Sequence, residues 1–141
     1  MKTSARNTLE GTISKVTKGA VNSEVELTTK GGNKVVAIVT NHSAETLGLK
    51  AGVKACALIK ASWVILGKDL HKVKLSTRNL FCGEVTEIHD GAVNAEIDFR
   101  LAGGEILTSI ITEGSLKTLD LKVKEHVCGA VKASSVILAV E

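Results

Sequence analysis

A set of hydrogen-bond donors occurs twice in this chain, and the second copy follows the first by 72 residues. Each copy combines one arginine, one lysine, several hydroxyls and two side-chain amides, all of which donate hydrogen bonds. The matched polar positions are Ser4/Ser76, Arg6/Arg78, Asn7/Asn79, Asn22/Asn94, Thr40/Thr112, Ser43/Ser115, Thr46/Thr118, Lys60/Lys132 and Ser62/Ser134. Such a set suits a fully ionised oxyanion, because lysine supplies a point charge, arginine a planar fork, and hydroxyls fill the remaining acceptors.

The same residues are poorly suited to catalysis. One carboxylate pair, Glu24/Glu96, repeats, but it lies on the polar face of a predicted strand, and no histidine repeats. A donor set without a general base does not readily perform hydrolysis. The four histidines lack the spacing of metal ligands, and no GxxxxGK[ST] phosphate loop is present. We therefore expect a binding protein, not an enzyme, with no catalytic residues and no free metal cation.

Each donor also has a purely structural interpretation. Serine is a common helix cap, asparagine a common turn residue, and lysine at a strand end is usually solvated. These alternatives apply to Ser43 and Ser115 as caps, to Asn7, Asn79, Asn22 and Asn94 as turn residues, and to Lys60 and Lys132 as surface charges. The oxyanion interpretation rests on the donors recurring together.

The donors belong to a tandem repeat that spans nearly the whole chain. The two halves align without a gap at the offset of 72. The clearest matches are "SARN" (4–7) with "STRN" (76–79), "KGAVNSEVEL" (18–27) with "DGAVNAEIDF" (90–99), and "KASWVIL" (60–66) with "KASSVIL" (132–138). The repeat predicts two domains, 1–69 and 70–141, which a short and partly apolar linker keeps packed together.

Each unit is predicted to consist mostly of β-strand. Alternating apolar and polar residues predict half-buried strands, with inner faces made by Val21, Val25 and Leu27 and by Val93, Ala95, Ile97 and Phe99. The Gly-Gly pairs predict hairpin turns, and continuous apolar strings predict strands covered on both faces. These are the turns at 31–32 and 103–104, the covered strands at 35–40 and 107–112, and further strands at 55–59 and 63–66.

One short helix interrupts the strands of each unit. Ser43 and Ser115 are predicted to cap helices over 44–49 and 116–121. The leucines expected to face the core are Leu47 and Leu49 in the first helix and Leu119 and Leu121 in the second. The predicted fold is all-β: two tandem OB-like barrels, each of about five strands plus one short helix.

Composition excludes several classes of protein. The net charge is +3 and the halves carry +5 and −2, which is too weak for a nucleic-acid-binding surface. Three aromatic residues are too few for base stacking, so a single-stranded nucleic-acid binder is disfavoured. No apolar run suggests a signal peptide or a membrane span, which predicts a cytoplasmic protein without membrane partners. The three cysteines are expected to be small apolar residues in a reducing compartment.

The strings "TSARN", "GAVN.EV.L", "VT..S...LGLK.G" and "A.IKASWVIL" resemble the Mop domain, also called the TOBE domain. Two such domains in tandem resemble the molbindin family, and the resemblance covers 4–69 and 76–141. It implies OB-like barrels that exchange strands between subunits, a homotrimer, and molybdate, often also tungstate, bound at subunit interfaces.

The resemblance also implies the ligand residues. They are Ser4, Arg6, Asn7, Thr40, Ser43, Lys60, Ala61 and Ser62 in the first copy, and Ser76, Arg78, Asn79, Thr112, Ser115, Lys132, Ala133 and Ser134 in the second. A further class of site near the threefold axis is implied at the two "GAVN" strings. These residues are Gly19, Ala20, Val21 and Asn22, with Gly91, Ala92, Val93 and Asn94.

The leading functional hypothesis is storage and homeostasis of molybdenum by a cytoplasmic molybdate-binding protein, with tungstate as a second ligand. The alternative is a molybdate-responsive regulatory or interaction module that acts on a separate partner. Donor-only chemistry fits molybdate, because this dianion carries no proton at neutral pH, whereas a protonated phosphate requires an acceptor.

Overall fold

The repeat produces the same run of elements twice, in a computed structural model that describes residues 1–141. The first run is β1 (Asn7–Lys18), β2 (Asn22–Thr29), β3 (Lys34–Thr40), α1 (Asn41–Leu47), β4 (Lys54–Ile59) and β5 (Ile65–Gly67). The second is β6 (Asn79–Asp90), β7 (Asn94–Arg100), β8 (Ile106–Thr112), α2 (Glu113–Leu119), β9 (His126–Val131) and β10 (Ile137–Ala139). Short 3₁₀ turns occupy Ala61–Trp63, Leu70–Lys72 and Ala133–Ser135.

The two sheets exchange their last strands. Antiparallel pairing gives one sheet in the order β10-β4-β1-β2-β3 and another in the order β5-β9-β6-β7-β8. Strand β5 pairs with β9, where Ile65 lies opposite Ala130, and β10 pairs with β4, where Ile137 lies opposite Leu58. The edge strands β3 and β10 also approach each other, as do β5 and β8, so each sheet curls towards a barrel. Each barrel therefore takes one strand from the other side of the predicted boundary at residues 69 and 70.

The two barrels share one hydrophobic core. A continuous cluster of 25 buried residues includes β1, β2 and β3 of one sheet together with β6, β7 and β8 of the other. The largest fully buried side chain is Phe99, which lies among branched aliphatic residues. Because the core runs through both sheets, the units pack against each other as the short linker predicts.

The strand predictions are largely confirmed, with an error at the start of each alternating strand and another at 63–66, where Trp63 ends a 3₁₀ turn and the strand begins only at Ile65. Val21 and Val93 are 71% and 74% exposed. They precede β2 and β7 in a turn, so the alternation begins two residues later, and buried Ser23 takes the first inner position of β2. In β3, residues 35–37 are buried in succession, but Ile38 is 41% exposed, so the strand is covered on both faces over only part of its length.

Both helices begin earlier than predicted. Thr40, not Ser43, is the N-cap of α1, and its hydroxyl oxygen accepts the Ser43 N–H at 3.1 Å. Thr112 caps α2 in the same way, accepting the Ser115 N–H at 3.0 Å. Threonine is a suitable N-cap at both positions because its side-chain oxygen accepts the N–H of the residue three positions later, which would otherwise lack a partner.

The leucine prediction holds for the second helix, where Leu119 packs against the core and Leu121 is buried, but for only one leucine of the first helix. Leu47 is 37% exposed, whereas Leu49 is buried. Gly48 ends α1 in the left-handed conformation, with φ 66°, and this reverses the chain so that Leu49 points inward from beyond the helix. Ala44 is the buried residue within α1.

The cysteine prediction is wrong for two of the three residues. Cys82 and Cys128 lie directly opposite each other on β6 and β9 and are joined by a disulfide. Cys56 is free, and burial raises the pKa of its thiol, so it stays protonated and behaves as a small apolar side chain. No helix in the structure is long and apolar enough to span a membrane.

Candidate functional site

Strand pairing brings the two donor strings of each unit together. In the second unit Asn79, at the start of β6, lies opposite Val131, at the end of β9. The "STRN" string therefore lies beside "KAS", and strands β2 and β3 of the first unit close the other side. The resulting cleft has a volume of about 190 Å³ and is lined by Ser76, Thr77, Arg78, Lys132, Ala133, Ser134, Glu24, Val36 and Ile38.

The repeated asparagines hold the two units together. The Asn79 side chain donates to the Val36 carbonyl at 2.6 Å and accepts the Val36 N–H at 2.7 Å. Asn7 makes the matching pair with Thr108, at 2.8 and 2.7 Å. Both asparagines are buried, so their amides are committed to the backbone of the opposite unit. These contacts position the two strings, and both asparagines lie at the starts of strands rather than in turns.

The repeated arginines reach across the same interface to carboxylates. Arg6 donates to Glu96 at 2.7 Å, and Arg78 donates to Glu24 and, at 3.3 Å, to Glu26. A hydrogen bond from Lys34 lowers the pKa of Glu26, and the Arg78 charge adds to this effect, so Glu26 is ionised. The positive charge of Arg78 is therefore largely balanced by carboxylates of the other unit.

The "KAS" turns contribute the donors that remain free. Lys132 forms no ion pair in the structure, in contrast to Arg78. The first hydrogen bond within the 3₁₀ turn runs from the Ser135 N–H to the Lys132 carbonyl, at 2.9 Å. The N–H groups of Ala133 and Ser134 precede that bond, so they are left for an acceptor outside the turn. One cation, two backbone N–H groups and the Ser134 hydroxyl thus converge beside Arg78.

The first unit builds the equivalent arrangement with one difference. Asn7 lies opposite Ile59, which places Ser4 and Arg6 near the turn Ala61–Trp63. Lys60 Nζ lies 5.9 Å from the centroid of the Trp63 ring, a cation–π contact. Trp63 is 40% exposed, and its counterpart in the second unit is Ser135. The fluorescence of Trp63, the single tryptophan of the chain, should therefore respond to binding at the first donor set.

The remaining predicted ligands lie beyond the cleft. Thr40 follows Val36 and Ile38 on the same face of β3, because side chains of a strand alternate. Its hydroxyl donates to Ser43 Oγ at 2.9 Å, and Thr112 does the same to Ser115. Thr40 and Ser43 do not line the second cleft, and the hydroxyls of Thr40 and Thr112 are engaged in capping the two helices.

The two "GAVN" strings form tight turns that are anchored to the helix starts. The Gly19 N–H donates to the Asn22 carbonyl at 2.8 Å, and the Asn41 N–H donates to the Val21 carbonyl at 2.9 Å. The Asn41 side chain also donates to the Gly19 carbonyl at 2.9 Å. The turns are thus well-defined structural features with exposed valines at their tips.

The sequence prediction missed the contribution of the opposite unit to each cleft. Glu24, Val36 and Ile38 line the second cleft although none was predicted as a site residue. The repeated carboxylates Glu24 and Glu96 were the sequence feature that could have indicated this contribution. Each of them accepts a hydrogen bond from one of the two repeated arginines.

The TOBE domain model matches residues 3–66 and 75–138. A molybdenum transport protein, ModE, of Azotobacter vinelandii is 41% identical over 140 residues, which are 99% of this chain and 52% of that protein. A molybdenum-pterin-binding protein, MopA, of Rhodobacter capsulatus is 42% identical over 139 residues, 99% of this chain and 52% of its own length. The chain thus spans about half the length of these curated relatives.

A solved structure, described as the cytoplasmic molybdate-binding protein ModG with molybdate bound, is 45% identical to this chain. The structural alignment covers 100% of this chain and 100% of that chain, and its TM-score is 0.96. Two matched domains account for most of the chain, and the strand order is that of two five-stranded sheets. The chain belongs to the TOBE domain family.

Proposed function

We propose that the chain binds molybdate at two sites, one at each junction of an S-x-R-N string with a K-A-S turn. The observation that carries the proposal is the second cleft, where Lys132, the open N–H groups of 133–134 and the Ser134 hydroxyl converge beside Arg78. These groups are the donors that a tetrahedral dianion requires. The full-length likeness to a protein solved with molybdate bound supports the same ligand.

The proposed ligand residues follow from this geometry. Ser76, Arg78, Lys132, Ala133 and Ser134 surround the anion of the second site. Ser4, Arg6, Lys60, Ala61 and Ser62 surround that of the first site. Asn7 and Asn79 position these strings by holding the opposite unit, and Thr40, Ser43, Thr112 and Ser115 contribute only where a neighbouring copy brings them close.

Selectivity arises from charge and from size. The second cleft contains one carboxylate, Glu24, which Arg78 engages. A hydrogen phosphate ion needs a free acceptor for its proton, and an unpaired buried hydroxyl costs about 1–3 kcal/mol. Molybdate and tungstate carry no proton, so both fit the donors, and only the size of the cleft separates them from sulfate.

The proposed assembly is a homotrimer. Exposed apolar residues occur in pairs that follow the repeat, namely Val21 with Val93 and Ile65 with Ile137, all more than half exposed. A protein with paired apolar surfaces favours symmetric association, which covers both members of each pair. Sedimentation equilibrium tests this directly: three chains per particle are expected, and a monomer at all concentrations would contradict the assembly.

The proposed biological role is cytoplasmic storage of molybdate by a binding protein without catalytic activity. Equilibrium dialysis against micromolar molybdate, with millimolar phosphate, sulfate and chloride present, tests the binding. We expect at least two anions per chain, with tungstate competing and phosphate not. Less than one bound anion per chain would overturn the proposal. A regulatory role would instead require molybdate-dependent capture of a partner protein.

A further inference from the structure

Four side chains that could bind a cation gather on one face of the β6–β9 ladder. Cys82 and Cys128 lie directly opposite each other, with Cα atoms 4.0 Å apart. His126 precedes Cys128 by two residues on β9, so both side chains lie on the same face. His71, from the 3₁₀ turn Leu70–Lys72, covers this face. Its Nδ1 atom lies 3.6 Å from Cys128 Sγ, and its ring meets that of His126 edge-to-face with centroids 5.4 Å apart.

This cluster is independent of the oxyanion sites and of the repeat. The first unit has Glu10 where the second has Cys82, and Lys54 where the second has His126. His71 lies in the linker and has no counterpart. Neither the proposed molybdate sites nor the barrel core accounts for this grouping, since His71 is exposed and Cys82 is only half-buried.

The separation of the His71 nitrogen from one of the two sulfur atoms suits a tetrahedral metal ion. Metal-ligand atoms of His71, Cys82 and Cys128 all lie within 4.8 Å of one another. In a tetrahedral zinc site, with Zn–S about 2.3 Å and Zn–N about 2.0 Å, a sulfur and a nitrogen ligand lie about 3.5 Å apart. In the structure, His71 Nδ1 lies 3.6 Å from Cys128 Sγ, close to this value. Binding also requires the two sulfur atoms to be separate thiolates rather than a disulfide.

We propose that the chain with Cys82 and Cys128 reduced binds one Zn²⁺ ion through these two thiolates and His71, with His126 or water as fourth ligand. Binding releases two protons, one from each thiol. The disulfide form, in which the sulfur atoms bond to each other, does not hold the ion. The sequence predicted no cation site because the ligands lie 11 and 46 residues apart, without a C-x-x-C pair.

Cobalt titration tests the proposal, since Co²⁺ reports thiolate ligation by its absorption. The full-length protein is first reduced with a phosphine, which becomes a phosphine oxide by taking an oxygen atom from water as both thiols form. We expect one Co²⁺ per chain, a thiolate-to-cobalt charge-transfer band, the visible bands of a tetrahedral site, and displacement of Co²⁺ by Zn²⁺. Oxidation with glutathione disulfide, which restores the protein disulfide and yields two glutathione molecules, should abolish the bands.

Matched variants locate the site. Cys82→Ser should remove the charge-transfer band that arises from the Cys82 and Cys128 thiolates together. His71→Ala should weaken Co²⁺ binding by about tenfold or more. Cys56→Ser removes the remaining thiol and should leave the bands unchanged. Circular dichroism and molybdate binding verify that each variant is folded. A reduced wild type without the band, or a Cys82→Ser protein with unchanged bands, would overturn the proposal.

Discussion

The turn before β2 and the turn before β7 have the same backbone but opposite charge. In the first unit the turn follows Lys18, and Asn41 closes it by accepting the Ser23 hydroxyl at 2.6 Å. In the second unit these positions hold Asp90, Glu113 and Ala95. The backbone hydrogen bonds are retained in both turns. The shape of the turn therefore tolerates exchange of a neutral amide for a carboxylate.

The charge at the second turn changes the titration of one carboxyl group even though the shape is retained. A hydrogen bond with Asp90 raises the pKa of Glu113, and desolvation and the Asp90 charge add to the effect. One oxygen of Glu113 is buried without a hydrogen-bond partner. Two adjacent carboxyl groups disfavour a bound anion at the second turn, whereas at the first turn Lys18 forms an ion pair with Glu45 at 3.5 Å. The repeat thus preserves geometry while allowing the charges of the two halves to differ.

The largest effect is expected where the halves are alike, at Asn7 and Asn79, which we call the asparagine clamps because each binds the backbone of the opposite unit. Asn79→Ala leaves the N–H and carbonyl of Val36 without partners, and Asn7→Ala does the same at Thr108. Each change should lower the free energy of unfolding by about 2–4 kcal/mol, measured by urea denaturation. Asn22→Ala, at an exposed repeated asparagine, is the control and should change it by less than about 0.5 kcal/mol. A clamp variant with the same free energy of unfolding as the Asn22→Ala control would contradict the positioning role.

The donor lysines come next. Lys60→Ala and Lys132→Ala each remove a cation from one proposed site, and a lost charge-assisted hydrogen bond of about 1.5–3 kcal/mol weakens binding about 10- to 100-fold. Isothermal titration with molybdate should show one weakened site in either variant and two in the double variant. Lys122→Ala, at an exposed lysine of the second half, should bind like the wild type. Equal loss of both sites in one single variant would show that the sites are not separate.

A smaller effect should depend on pH and on the second half alone. Since the folded pKa of Glu113 is raised, the folded state retains a proton that the unfolded state has already lost. The free energy of unfolding should therefore fall as pH rises from the ordinary glutamate pKa through the raised value. Glu113→Gln removes this dependence, and Glu84→Gln, at an exposed glutamate, retains it. Urea midpoints measured from acidic to neutral pH test the prediction, and parallel curves for both variants would contradict it.

The smallest effect concerns the tryptophan that distinguishes the two K-A-S turns. Trp63→Ser gives the first turn the residue of the second and removes a cation–π contact with Lys60. Such an exposed contact contributes about 0.5–1 kcal/mol, so molybdate affinity at the first site should change by less than about fivefold. Direct binding of radiolabelled molybdate measures it, and a loss as large as that of Lys60→Ala would make Trp63 a ligand-contacting residue.

The sequence was sufficient to predict much of this fold. The alternation in residues 21–28, the Gly-Gly turns and the 72-residue offset predict about five strands and one helix per unit, as the structure has them. The offset also indicates which polar residues are candidate site residues, because Arg6 and Arg78 recur within the matched strings SARN and STRN. The TOBE family assignment follows from the same repeat.

Other features depend on contacts between residues distant in sequence. The exchange of β5 and β10 joins residues at least 61 positions apart, from the pair Gly67 and Cys128 (128 − 67 = 61), and no local pattern records which sheet a three-residue strand enters. The same holds for the burial of Asn79 against Val36 and for the pairing of Cys82 with Cys128. Local signals also misplaced the helix caps, because threonine and serine both suit the position.

Molybdate titration of Lys132→Ala, followed simultaneously by Trp63 fluorescence and by the amount of bound molybdenum, tests the existence of two separate sites most directly. We expect the Trp63 response to keep its wild-type midpoint, because Lys60 lies beside Trp63. About one bound anion per chain should be lost at a molybdate concentration that fills both wild-type sites but not the weakened one. A shifted Trp63 midpoint, or an unchanged amount of bound molybdenum, would contradict two separately built oxyanion sites.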